Sequence, residues 1–220
     1  MKDDYMELFH LKQQLCELRL KLSRLNKSPQ WTKSQLLKVL SSLKNNKSCD
    51  PHGIVNELFK LGVAGDKLIS SLLVMLNRIK WDISLPDFMR LANICSIYKG
   101  RGERMSLESD RGIFIVNLFR NILMKMVYKD KYQIVDSSMS HSNVGSRKKK
   151  SIRNHIFIVN GVINEVLRNK SKCVDIQIMD YRQCFDSMWL KECINDLYDS
   201  GITDDILGLL FESNRLNKLL

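Results

Sequence analysis

Apolar positions step by three and four through the first part of the chain. Leu8, Leu11, Leu15, Leu18, Leu22 and Leu25 draw one seam down a predicted helix of about 20 residues. Such a seam suits either a short coiled coil or packing onto the chain's own domain; it covers fewer heptads than a coiled coil usually sustains, so packing is the expectation. "WTKSQLLKVLSSLKNNK" then begins with Thr32 at an N-cap and Gln35 three residues on, the pattern of a capping box, with Trp31 and Leu36 at the staple positions. That helix should close near Asn45 and Asn46. After the turn cluster "SCDPHG" the pattern predicts a helix from Ile54 to Leu61 stopped by Gly62, then a helix capped by Asp66, "KLISSLLVMLNRIKW", whose apolar residues nearly surround it and imply burial on most sides.

Beyond Pro86 the period changes. "LANICSIYKGRGE" reads as a strand entering a basic hairpin, "DRGIFIV" as its return strand, and "NLFRNILMKMVYKDKYQIV" as a long amphipathic helix. A polar, serine-rich loop follows, carrying Arg147, Lys148, Lys149, Lys150 and Arg153, and leads into the helix "HIFIVNGVINEVLRN" with Ile156, Val159, Ile163 and Leu167 on one face. Next, "VDIQIMD" alternates as a strand should, so Val174, Ile176, Ile178 and Asp180 share a face and a carboxylate closes an apolar strand. Asp186 or Ser187 can cap the helix that runs on to Gly201. No internal repeat is visible.

Composition narrows the class. The chain has 220 residues, 44% of them hydrophobic, enough for a packed core, and a formal charge of +11. That excess favours a polyanion, either nucleic acid or an anionic membrane surface. Six cysteines (Cys16, Cys49, Cys95, Cys173, Cys184, Cys193) form no CxxC pair and the four histidines take no zinc spacing, which fits reduced thiols in an intracellular protein. The acidic start "MKDDYMELFH" is unlike a signal peptide, and no stretch approaches the roughly 18 apolar residues of a membrane span.

The carboxylate at Asp180 admits two readings. It can cap the turn after the strand, or it can hold a divalent cation that offsets a charge set beside apolar neighbours, since carboxylate oxygen is the donor magnesium prefers. Likewise "KGRGER" can be a solvated basic hairpin, and Arg147 to Arg153 a solvated loop or a nuclear-import signal. As a phosphate-binding run, five cations in seven residues would make affinity strongly salt-dependent.

A resemblance bears on these choices. "DYRQCFD" resembles the first palm motif of the reverse transcriptases of non-LTR (LINE-type) retrotransposons, an aspartate followed at a fixed distance by Phe-Asp after an apolar strand. Four further segments resemble that family in the same order: "SLKNNKSCDPHGIVNELFK" its NKxPGPDGIxxEhhK, "LPDFMRLANICSIYKGRGE" its iPxxWxxaxIvpIyKxKGd, "ESDRGIFIVNLFRNILMK" its NYRgISLlsxxxKi, and "NVGSRKKKSIRNHIF" its QxGFRxgrST. Departures occur at Cys49, Asp50, His52, Gly112, Ser146, Ile152 and Cys184, as in a divergent or decaying copy.

The resemblance implies a helix-rich α/β (α+β) fold: right-hand polymerase fingers with a small antiparallel sheet, plus the first strand and helix of the palm. Residues 1–30 would be an N-terminal helical segment, 31–172 the fingers, and 173–220 the start of the palm, short of the Asp-Asp motif. The implied activity is RNA-directed DNA synthesis on an RNA template with a DNA primer and dNTP, with missing palm and thumb segments supplied by the parent polyprotein, a nuclear or cytoplasmic setting and no membrane. Asp180 would be a catalytic ligand of magnesium in a two-ion centre. The carbonyl of Tyr181 would assist, and Phe185 would exclude a 2′-hydroxyl unless it is simply a core phenylalanine. Lys99 and Arg111 would contact the triphosphate, and Arg147, Lys148, Lys149, Lys150 and Arg153 the template. By itself the chain would not polymerise; the alternative is a non-enzymatic nucleic-acid-binding remnant. Asp204 and Asp205, in "GITDDI", resemble an Asp-Asp turn only superficially: with Thr203 as N-cap they sit in the first turn of the next predicted helix, where the dipole favours them.

Overall fold

The computed structural model describes residues 2–59, 65–104, 109–145, 147–168, 173, 175–180, 188–215 and 218–219. Among them the architecture is helix-rich α+β, with seven α-helices and a small antiparallel strand pair. In order these are α1 (Lys2–Leu25), α2 (Lys33–Ser41), α3 (Asp66–Asp82), β1 (Leu91–Tyr98), β2 (Asp110–Val116), α4 (Leu118–Ser138), α5 (Ile152–Arg168), α6 (Leu190–Asp199), α7 (Asp205–Arg215) and the two-residue β3 (Lys218–Leu219), which runs parallel to the start of β1. The chain forms two compact units, one of Met1–Gln133 with Trp189–Leu220 and another of Ile134–Met188. These units cut across the segments drawn from the sequence, because α1 packs on α6 and α7 from the far end of the chain.

The α1 interface overturns one expectation. The leucine seam does not pack on the domain: Leu8, Leu11, Leu15, Leu18, Leu22 and Leu25 are all between 41% and 79% exposed. Cys16 and Ser23 are buried instead, and Lys12 and Arg19 reach α6. Lys12 pairs with Glu192, the Arg19 guanidinium donates to the Asn195 carbonyl at 3.1 Å and to Asp199, and it lies 4.9 Å over the Tyr198 ring. Phe9 stacks on Trp189 with centroids 4.4 Å apart. The reason is complementarity: α6 offers carboxylates and aromatic rings, and the basic stripe of α1 matches them where leucines would not.

The capping box at α2 forms as its sequence requires. The Gln35 N–H donates to Thr32 Oγ1 at 3.3 Å, the Thr32 N–H donates to Gln35 Oε1 at 2.8 Å, and Trp31 and Leu36 are buried beside it. This helix ends at Ser41, earlier than expected. Of the helix expected over 54–61, the described part, 54–59, holds one 3-10 turn at Asn56–Phe59, and residues 60–62, Gly62 among them, lie outside the described residues. α3 is capped by Gly65 rather than Asp66 and buries only one stripe, Ile69, Leu72, Leu76, Ile79 and Lys80; Val74 and Trp81 face solvent. Met89, Ala92, Ile122, Leu123, Ile206 and Leu209 complete the core of this unit.

Candidate nucleic-acid interface

The expected hairpin forms, with Ile97 opposite Arg111 and Tyr98 opposite Asp110, and the Lys99 N–H donating to the Ser109 carbonyl at 2.8 Å. Side chains alternate across a strand, so Lys99 and Arg111 fall on the same face, diagonal to one another across the ladder. Ile97 and Ile113 share that face; Ile94, Tyr98 and Phe114 lie on the other, and these apolar residues are substantially exposed on both. At the tip Gly100 and Gly102 have φ of +77° and +86°, and a Cβ at Gly102 would come within 2.5 Å of Ser109 Oγ, so the turn needs glycine there. Arg104 lies 5.7 Å from the centroid of Tyr98, whose hydroxyl donates to the Gly102 carbonyl at 2.7 Å. The ribbon thus presents cations on an aromatic and apolar surface, which suits phosphate and sugar contacts.

What holds the ribbon in place is a residue that the sequence marked only as part of a turn. Asp50 is buried, and its carboxylate accepts from the N–H groups of His52 (2.9 Å), Ile54 (2.8 Å) and Leu118 (3.0 Å) and from Asn117 Nδ2 (3.2 Å). Asn117 in turn caps α4, accepting from the Phe119 N–H at 2.9 Å. One carboxylate at a helix N-terminus thus joins the 50–54 turn to the exit of β2. The available signal was an aspartate followed by Pro-x-Gly; its distant partner, Asn117, carries none.

In the second unit the basic loop divides by role. Lys148, Lys149, Lys150 and Arg153 are exposed, whereas the Arg147 side chain is turned inward. Arg147 Nε donates to Asp136 Oδ1 at 2.8 Å, Nη2 to the Asp136 carbonyl at 2.9 Å, and Nη1 to the carbonyls of Ser140 and Asn143 at 2.8 and 3.1 Å. A phosphate at Arg147 would compete with these bonds, which shape the loop, whereas Lys148, Lys149, Lys150 and Arg153 present exposed side chains. Ser151 caps α5, its hydroxyl accepting from the Arg153 N–H at 3.2 Å, so the lysines run into a helix N-terminus whose dipole also favours an anion. The helix starts at Ile152, and none of its residues is buried; Ile156, Val159 and Leu167 are exposed and Ile163 half-buried.

Among the described residues the expected palm strand is not found. Residues 175–180 carry no strand pairing and are exposed, Ile178 to 89%. Alternation alone cannot make a strand: its N–H and C=O groups need a neighbouring ladder, and the described residues supply none here. Asp180 is therefore an exposed carboxylate outside regular structure. Tyr181, Cys184, Phe185, Asp186 and Ser187 lie outside the described residues, as does Ser146. α6 begins after an N-cap at Trp189, correcting the cap expected at Asp186 or Ser187. Among the described residues no three His, Cys, Asp or Glu side chains gather to hold a metal ion. Asp180 supplies one carboxylate, too few by itself for the oxygen cage of two magnesium ions, and no metal-dependent step follows from the described residues alone.

Asp204 and Asp205 do more than complement a dipole. Asp204, not Thr203, caps α7, accepting from the Ile206 N–H at 3.3 Å, and it pairs with Lys131. Asp205 is buried and accepts from the Ser28 N–H (3.1 Å) and hydroxyl (2.5 Å), tying the α1–α2 connection to α7. Nearby, Lys80 is buried, donates to the Pro29 carbonyl at 2.6 Å and sits 4.6 Å over Trp31; burial pushes its pKa down, with Asp205 acting against that. At the other end of α7, Arg120 donates to the Ser213 carbonyl and Arg90 Nη2 donates to Glu212 at 3.3 Å; burial, and then the Arg90 charge, lower the Arg120 pKa. Among the described residues no helix is long and apolar enough to cross a membrane. Compared with protein-family models and with curated proteins, the chain finds no match.

Proposed function

We propose that this chain is a nucleic-acid-binding part of an RNA-directed DNA polymerase of the non-LTR retrotransposon type, comprising fingers and the beginning of a palm. The observation that carries the reading is the loop at 147–153. Three consecutive exposed lysines and Arg153 stand at the start of α5, on a loop braced by an inward arginine. The five ordered segments that resemble the family support the polymerase origin. Lys99 and Arg111, diagonal on one face of the ribbon, suit a triphosphate. Template RNA, primer DNA and dNTP would be the ligands of the parent, with magnesium held by Asp180 and carboxylates from elsewhere.

Alone, the chain binds without synthesising. The exposed Asp180, outside any strand, favours this non-enzymatic reading for the chain in isolation.

Binding of a primer-template duplex, followed by fluorescence anisotropy from low to moderate salt, tests the reading. Replacing Lys148, Lys149 and Lys150 with alanine should reduce the slope of log affinity against log salt by about 2 to 3, from roughly 0.7–0.9 per phosphate neutralised. An unchanged slope would remove the loop from the interface. Fusing the Asp-Asp-bearing palm segment of an intact reverse transcriptase after Leu220 should give synthesis, and Asp180→Asn should then abolish it while Asp180 remains dispensable for binding. Synthesis that survives Asp180→Asn would defeat the palm assignment of Asp180.

A further inference from the structure

The exposed seam of α1 is regular. Leu8, Leu15 and Leu22 repeat at one heptad position and Leu11, Leu18 and Leu25 at another, the a and d positions of a coiled coil, with leucine at all six. The intervals are 3, 4, 3, 4 and 3 residues, over a helical length of about 27 Å. Every one of these leucines is exposed, while the adjoining flank of the helix, around Cys16 and Ser23, is buried where α1 packs on α6 and α7. A monomer gains nothing from six leucines held in water on one straight line; scattered surface leucines are ordinary, but a contiguous apolar strip marks an interaction site.

We infer that this seam is a homodimer interface: two copies of the chain pair through α1 as a short parallel coiled coil. Three arguments select this occupant. The first is that an a/d leucine strip is complementary to itself, since each leucine is both knob and part of a hole.

Charge gives the second. In a parallel pair Glu7, at a g position, comes beside the partner's Lys12 at e, whose ammonium would then bridge two carboxylates, Glu192 of its own chain and the incoming Glu7; in an antiparallel pair centred between Leu15 and Leu18, Lys12 would face the partner's Arg19. The e side of α1 also leans on α6, where Lys12 pairs with Glu192 and Arg19 with Asp199.

The third is energetic. Fewer than three heptads are marginal for isolated peptides, because association must also order the helices. Here α1 is already formed and held by its packing on α6 and α7, so dimerisation meets little of that ordering cost. The six leucines, each 41% to 79% exposed, form a contiguous strip that would sit at the centre of a standard interface of roughly 800 Å² per partner. This inference is independent of the nucleic-acid reading.

Sedimentation equilibrium on the full chain decides it. The wild type should shift with concentration from 25.6 kDa to twice that mass. The double variant Leu15→Glu, Leu18→Glu should stay at the single-chain mass at about 100 µM, far above the Kd of a specific dimer, with an unchanged far-ultraviolet circular dichroism spectrum. A wild type that remains monomeric at that concentration, or a double variant that still dimerises, would overturn the proposal. A double variant that loses its helical signal would overturn it too, since the seam would then belong to the monomer's own core. For orientation, Leu15→Cys chains should cross-link on mild oxidation well beyond the wild-type background, because a residues meet across a parallel dimer axis. No such excess would refute the parallel arrangement.

Discussion

Replacing Asp50 with alanine should cost this protein a large share of its stability. The carboxylate serves four donors. Two of them, the N–H groups of His52 and Ile54, lie where water can substitute, but Asn117 Nδ2 and the Leu118 N–H are buried. Leaving a buried donor unsatisfied costs about 1–3 kcal/mol, so the two together set the expected loss at about 2–6 kcal/mol. The centre of that range, about 4 kcal/mol, is a large fraction of the roughly 5–15 kcal/mol that typically holds a domain folded. For a chain of this size it would lower Tm by roughly 8–16 °C. Urea unfolding followed by circular dichroism, with the m-value held constant, is the assay. Asp66→Ala makes the control: that carboxylate is 87% exposed beside Lys33, and its loss should stay under about 1 kcal/mol. An Asp50→Ala loss below about 1 kcal/mol would refute the reasoning, for it would mean that the Asn117 and Leu118 donors find other partners and that Asp50 does not hold the exit of β2.

Arg147→Ala should weaken nucleic-acid binding and speed amide exchange across 136–147 without changing the salt slope, because this arginine braces the loop and neutralises no phosphate; a slope reduced by about 1 would instead place it on the backbone. Lys80 has a folded pKa below its usual value, so between that pKa and about 10.5 the unfolded chain binds more protons, and its contribution to stability rises with pH through that window. Subtracting Lys80→Met urea melts from wild-type melts at pH 7 to 10.5 should reveal this rise, and a flat difference would contradict it. Glu192 has a folded pKa lowered by the hydrogen bond from Lys12, so its contribution is present above about 4.5 and fades as pH falls through the folded value. Glu192→Gln should therefore match wild-type stability at low acid pH and fall behind it at neutral pH; equal gaps at both would show that the pair is inert.

Local chemistry determined what the sequence alone could settle. Thr32 and Gln35 satisfy each other's backbone N–H three residues apart, and β1 and β2 are consecutive strands that pair with each other, so both features depend on neighbours that the chain itself supplies. Tertiary structure decided the rest. The leucines of α1 promised burial by their period, yet whether a stripe is buried depends on what its partner offers, and α6 offered charges to Lys12 and Arg19. Asp50 and Asp205 looked like turn and dipole residues until Asn117 and Ser28 arrived from elsewhere in the chain to engage them. Arg147 belonged to a charge run in sequence and to a loop brace in space. Alternation over 174–180 has strand period, yet 175–180 find no ladder among the described residues, because hydrogen bonds between strands are made by a partner that periodicity cannot name.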